Sequence, residues 1–195
     1  MPSELITKLN WVDILVIIAL IRIIYIGVRQ GFIVEFSKTL GVVFAIILSF
    51  HYYITFSSFI HTHSPLPASF SDLICFTALF IGVILLFKFI REGLALVIKA
   101  EPIPFLNSWG GLILGGLRAW LVTSVFIYVL LISGFSYIEQ SARQSYGFNY
   151  IIHAAPQTYS FSFNNLIGKF FSGEKINQTV FDVINNNPEA PKREG

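Results

Sequence analysis

Charged residues are scarce in this sequence. Asp, Glu, Lys and Arg together make up 12% of the chain, whereas an ordinary soluble domain carries about 25%. The net charge of +2 is too small to indicate nucleic-acid binding, and the sequence has no basic run with interleaved aromatic residues. Hydrophobic residues reach 54% and the mean hydropathy is +0.69. This balance predicts an integral membrane protein.

Cysteine is rare in this sequence, and its start does not resemble a cleavable signal. Cys75 is the single cysteine, which excludes an internal disulfide, and we interpret it as a small buried apolar residue. Glu4 stands where a signal peptide would carry basic residues, and no small-x-small cleavage site follows the first apolar run. We therefore expect this run to be retained as a membrane segment.

The sequence contains none of the common catalytic motifs. It has no GxSxG, HExxH or P-loop pattern, and no serine has a partner base that the sequence identifies. Several potential metal ligands lie close together in the chain, but their spacing matches no zinc motif. They are His51, His61, His63 and Asp72. We therefore predict no enzyme activity, no metal site and no cofactor.

Four apolar stretches predict an all-α membrane protein with four transmembrane helices and a C-terminal tail. A helix of about 18 residues rises roughly 27 Å, which is close to the hydrocarbon thickness of a bilayer. The predicted spans are about 11–28, 40–60, 73–90 and 112–135, in a membrane domain that covers 11–135.

Polar segments flank the predicted membrane domain. Residues 1–10 are a short polar lead-in. Residues 136–186 lack a run long enough to cross, but their apolar spacing predicts one or two short amphipathic helices lying on the membrane or on the domain. The composition of 187–195 predicts a disordered end.

Basic residues predict the orientation in the membrane. Positively charged side chains in short loops favour the cytoplasmic side. The 61–72 loop contains no Lys or Arg, whereas the segments 28–38 and 88–108 contain several. These are Arg29, Lys38, Lys88, Arg91 and Lys99. We therefore expect the 28–38 and 88–108 loops in the cytoplasm and both termini outside it.

Charged residues within the spans are candidate site residues, because unpaired charge in the membrane is costly. Arg22, Glu35 and Arg118 all fall in the predicted cytoplasmic half, and Glu35 and Lys38 are spaced to pair on one helix face. The first three can form either a polar or gating contact between helices or a structural brace. Asp13 can be either a proton-relay carboxylate or an N-terminal helix charge.

Glycines at the entrance of the fourth span predict close helix packing. Gly111 and Gly115 form a small-xxx-small pair, and Gly116 extends the helix surface that carries no side chains. Because residues four apart share a helix face, a neighbouring helix can approach at backbone distance. These glycines are therefore interpreted as packing residues.

Three short motifs carry a resemblance to a known family. The first is Asn10-Trp11-Val12-Asp13 at the start of the first span, and the second is the turn Arg29-Gln30-Gly31-Phe32 followed by Glu35. The third is GLILGGLR, from Gly111 to Arg118. In order and spacing they resemble the CvpA family, the colicin V production proteins of the bacterial inner membrane. In that family Arg29, Gly31 and Phe32 would correspond to the turn motif.

The resemblance implies a multi-pass inner-membrane protein associated with colicin V production or export, without established catalytic chemistry. On this basis we expect a non-enzymatic accessory protein with a role in envelope maintenance as well. Its expected partners are the lipid bilayer and other membrane proteins or further copies of itself. A small oligomeric channel or transporter that uses the buried charges is the alternative, and a membrane tether for a soluble enzyme is a third.

Overall fold

The computed structural model describes residues 10–97, 104–170 and 173–185. All regular secondary structure in these ranges is helical. The predicted disordered end and the predicted lead-in, apart from Asn10, lie outside the described residues. The four long helices are α1 (Trp11–Gln30), α2 (Phe32–His63), α3 (Ala68–Val97) and α4 (Pro104–Leu131). Each contains a segment long and apolar enough to cross a membrane.

The long helices differ in extent from the predicted apolar cores. α2 and α3 continue beyond their predicted cores at both ends. α4 begins at Pro104 and ends at Leu131, before the predicted limit at Phe135. The chain turns after it at Gly134, whose φ of 75° lies in the left-handed region.

Helix α4 is the most enclosed of the four long helices and α3 the most peripheral. Each span contains an apolar window of 18 residues. In α4, 44% of this window is buried, whereas in α3 the buried share is 11%. α1 packs mainly on α4, and α2 packs on both α3 and α4. The outer face of α3 exposes Ile81, Leu85 and Phe89, as expected for a surface that meets lipid rather than water.

The two ends of the bundle differ in composition, and we name them accordingly. The charged end contains the α1–α2 connection, the end of α3 and the start of α4, with Arg29, Lys38, Lys88 and Arg91. The tail end contains the start of α1 and the end of α4, and residues 136–185 pack there.

The tail is more extensively folded than predicted. Its short helices are α5 (Ser136–Arg143), α6 (Tyr146–Tyr150), α7 (Ala154–Ser162), a π-helical turn (Phe163–Ile167), α8 (Gly168–Phe170) and α9 (Thr179–Asn185). Ile152, Ala155, Tyr159 and Val180 are fully buried and belong to the same apolar core as the long helices. The prediction of short helices in the C-terminal tail is confirmed. In addition, small and aromatic residues of the tail complete the core of the long helices.

An aromatic cluster joins the long helices to the tail. Phe50 lies at its centre, with ring centroids 4.7 Å from Tyr128, 5.2 Å from Phe76 and 5.8 Å from Tyr159. The hydroxyls of Tyr53 and Tyr128 lie 2.9 Å apart and share a buried hydrogen bond. Rings at these separations add to the stability given by their buried area.

Candidate functional site

The centre of the charged end is an ion pair between α2 and α4. Glu35, in the first turn of α2, is fully buried, and the side chain of Arg118 is 14% exposed. Arg118 Nη2 donates a hydrogen bond of 3.2 Å to Glu35 Oε1, and Arg118 Nε lies 2.8 Å from Oε2. The first contact is a hydrogen bond and the second is a close ion-pair contact without hydrogen-bond geometry, so opposite charge and one hydrogen bond hold the two groups together.

Lys38 is a second cation on the same carboxylate. Its Nζ lies 3.1 Å from Glu35 Oε1, which confirms the predicted pairing of Glu35 with Lys38, and it also donates to the side-chain oxygen of Gln30. Thr39 Oγ1 donates to the Glu35 carbonyl at 2.8 Å and contacts the Leu114 carbonyl of α4 at 3.4 Å. The carboxylate is therefore held between two helices by side chains of both.

Arg22 and Asp13 lie outside this cluster. Arg22 is exposed on α1, and among the described residues no carboxylate lies within ion-pair distance of it. Arg22 therefore does not join the predicted Arg–Glu–Arg cluster in this structure. Its long apolar stem can lie along the helix while the charge reaches the membrane surface.

Glycines allow α1 and α4 to touch at the backbone. A Cβ atom added at Gly27 would lie 2.8 Å from both the Gly111 carbonyl oxygen and the Gly115 Cα. Gly27 is thus the partner of the predicted small-xxx-small pair. The third predicted packing residue, Gly116, has no atom within 4 Å of the position that a Cβ would occupy, so it makes no such contact among the described residues.

A single glycine connects α1 to α2. Gly31 has φ of 80°, which lets α1 end at Gln30 and α2 begin at Phe32. The Phe32 ring packs against Gly110 of α4. A Cβ atom added at Gly110 would lie 2.5 Å from Phe32 Cδ2. The Arg29 guanidinium lies 4.7 Å from the centre of the Tyr25 ring. Gly31 and Phe32 therefore orient the helices that contain Glu35 and Arg118, whereas the Arg29 contact lies within α1.

At the tail end, several polar contacts join side chains at the ends of the long helices to the backbone of the tail. Asp13 is 3% exposed, and its Oδ1 accepts from the Gly147 amide at 3.0 Å. Its Oδ2 accepts from the Asn10 amide at 3.1 Å, and Asn10 Nδ2 donates to the Ser141 carbonyl at 2.7 Å. Ser124 donates to the Ile152 carbonyl and accepts from an amide of α7.

A hydrogen-bonded chain that includes His51 continues this network. The Asn177 amide donates to the Tyr159 hydroxyl at 3.0 Å, and that hydroxyl lies 3.0 Å from His51 Nδ1. His51 Nε2 lies 3.2 Å from a carboxylate oxygen of Glu174. Burial raises the pKa of the Tyr159 hydroxyl.

His61 and His63 make local contacts. His61 Nδ1 lies 2.8 Å from the Leu66 carbonyl, and His63 Nδ1 lies 2.9 Å from the Phe59 carbonyl. Within the described ranges, no three His, Cys, Asp or Glu residues are placed to hold a metal ion.

A cavity of about 320 Å³ opens beside the ion pair, between all four long helices. Its polar wall is formed by Lys38 and Arg118, which contact Glu35, by Ser37, and by Lys88 and Arg91 of α3. In the sequence, Lys88 and Arg91 served only as indicators of orientation in the membrane. Their spacing of three residues on one face of α3 was the signal that they share a site.

The chain is similar in sequence to known proteins. A family model described as Colicin V production protein matches residues 12–156, well over half of the chain. An "Uncharacterized transmembrane protein YshB" from Bacillus subtilis (strain 168) is 26% identical over 149 residues, which cover 68% of this chain and 84% of the relative. No solved structure matches the chain.

Proposed function

The chain belongs to the Colicin V production protein family, and from this we propose that it is a non-enzymatic accessory protein of the bacterial inner membrane. In this proposal it supports production or export of a peptide toxin and contributes to envelope maintenance. The family is a membrane accessory family, and the four apolar helices make this chain a multi-pass membrane protein. The match itself is the observation that carries the proposal, because it includes all four long helices.

The structure supports recognition of partners rather than chemistry. The buried polar groups that were considered as sites are held in structural contacts: Glu35 between two cations, and Asp13 between two amides. Gly116 of α4, by contrast, faces open space beside the exposed Ile113 and Leu117. We propose that this strip of α4 receives a helix of another membrane protein or of a second copy.

Toxin release tests the biological role. In a toxin-producing strain that lacks this gene, toxin should remain in the cells, and the intact gene should restore its appearance in the medium. Equal release with and without the gene would contradict the proposed role.

Cysteine crosslinking tests the proposed contact surface. The only cysteine, Cys75, is buried and can be replaced by serine. In that background Gly116→Cys should crosslink to a partner in native membranes. Gly82→Cys on α3 is the matched control, because Gly82 also has no atom within 4 Å of its Cβ position. Equal crosslinking at both positions would indicate random collision.

A small oligomeric channel or transporter is the second candidate, and the cavity lined by cations favours it. Purified protein in liposomes should then carry an anion, and changing Arg118 should abolish the flux. Anion flux no greater than in empty liposomes would contradict a channel or transporter function.

The positively charged side chains support an orientation with the charged end in the cytoplasm and both termini outside. A reporter active on one side of the membrane, placed after Gly195 and separately within 88–108, should give opposite readings. A cytoplasmic reading after Gly195 would contradict this orientation.

A further inference from the structure

The cavity at the charged end has an unusual concentration of positive charge. Four cations line it: Lys38, Arg118, Lys88 and Arg91. Among the described residues, the carboxylates paired with these four are Glu35 and Glu92. The Lys88–Glu92 pair is long, at 3.9 Å, and both side chains are more than half exposed, so it neutralises little charge. The cavity therefore has an excess of positive charge.

The rest of the cavity wall is apolar. Phe87 of α3 and Val122 of α4 contribute to it. Lys88 and Arg91 lie at the end of the apolar stretch of α3 that begins at Leu73, and about 18 residues of helix are enough to cross the hydrocarbon region. The cations thus stand near the level at which lipid headgroups meet the hydrocarbon region, and the apolar wall lies deeper. A volume of about 320 Å³ is at the small end of ligand sites, which range over about 300–1,000 Å³.

We propose that this cavity binds a phosphate group, with Lys88 and Arg91 as the accessible ligands and Arg118 and Lys38 behind them, and that its natural source is the headgroup of an anionic phospholipid. Arg and Lys are the side chains that bind phosphate in proteins. Basic pockets between transmembrane helices are suited to anionic headgroups. The apolar wall favours a phosphate that carries acyl chains over a free one. This inference is independent of any role in toxin release.

The test compares two double variants of the full-length protein. Lys88→Gln with Arg91→Gln removes two cations from the cavity without disturbing the buried Glu35. Arg22→Gln with Arg29→Gln removes the same charge from exposed positions that do not line the cavity. Both proteins are purified in neutral detergent, and circular dichroism checks that both are folded. Native mass spectrometry then measures binding of phosphatidylglycerol, phosphatidylcholine and inorganic phosphate.

We expect wild type and the Arg22/Arg29 variant to bind phosphatidylglycerol in preference to phosphatidylcholine. The Lys88/Arg91 variant should bind phosphatidylglycerol about tenfold or more weakly, because each cation near a headgroup strengthens binding severalfold. Lys88→Arg with Arg91→Lys should restore binding. If inorganic phosphate displaces the lipid at similar concentration, the phosphate site stands and a soluble anion is its occupant. Equal losses in the two double variants, or no preference between the lipids in wild type, would overturn the proposal.

Discussion

The charged end and the tail end of the bundle are held together by different kinds of polar contact. At the charged end, ionised side chains of two long helices pair with each other, as Glu35 does with Arg118. At the tail end, side chains of long helices hydrogen-bond to the backbone of the tail, as Asp13 does to Gly147 and Ser124 to Ile152. The tail also contributes buried residues to the core. It is therefore an integral part of the folded unit.

This difference has a physical reason. Long helices satisfy their own backbone groups, so only side chains remain to join them, and a buried carboxylate needs a cation. The tail consists of short helices with many ends, and each end leaves amides and carbonyls without partners. Buried side chains of the bundle supply those partners. We therefore expect substitutions at the two ends to destabilise the protein in different ways.

Arg118→Met should have the largest effect, because it leaves the buried Glu35 with Lys38 as its remaining cation. Breaking a buried ion pair typically costs about 3–5 kcal/mol, and we expect the lower end because the Lys38 contact persists. The free energy of unfolding, measured by denaturant titration in mixed micelles with circular dichroism, checks this value.

Two companion variants test the cause of that loss. Arg22→Met removes an exposed arginine and should change stability by less than about 1 kcal/mol. Glu35→Gln combined with Arg118→Met should recover part of the loss, since no unpaired carboxylate remains buried. A single variant Arg118→Met as stable as wild type would show that the pair does not brace the charged end.

Gly27→Ala should have the next largest effect. Its Cβ would lie 2.8 Å from the Gly111 carbonyl oxygen and from the Gly115 Cα, both backbone atoms, so α1 and α4 must separate. We expect a loss of about 1–3 kcal/mol in the same titration. Gly116→Ala is the matched control and should be neutral or stabilising by up to about 1 kcal/mol, because alanine favours helix. If both variants lose equal stability, close packing at Gly27 is not the reason.

The sequence predicted the charged end better than the tail end. Glycines four apart predict close approach of helices, and Glu35 and Lys38 three apart predict a pair, because helix geometry brings such residues together. The sequence did not identify Gly27 as the opposing residue or exclude Arg22 from the cluster. Both depend on the rotation of α1 against α4, which periodicity does not fix.

The tail-end contacts had no comparable signal in the sequence. Ser124 and Ile152, or Asp13 and Gly147, are far apart in the chain and join a side chain to a backbone group. Any residue type offers the same backbone group, so the pattern of residue types carries no information about the pairing. The apolar spacing of the tail predicted short helices lying on the membrane or on the domain, but it did not indicate that Tyr159 would be fully buried in the core.

Ser124→Ala should give the smallest and most local effect. Ser124 Oγ donates to the Ile152 carbonyl at 2.7 Å and accepts from the Ala155 amide at 2.9 Å, and both contacts are buried. Their loss should cost about 1–2 kcal/mol, within the range for buried groups left unsatisfied. Hydrogen exchange at the start of α7 should accelerate while exchange around Glu35 stays unchanged. Ser58→Ala, at an exposed serine that bonds only carbonyls of its own helix, should alter neither region. Faster exchange at both ends in Ser124→Ala would mean that the two ends unfold as one cooperative unit, despite their different contacts.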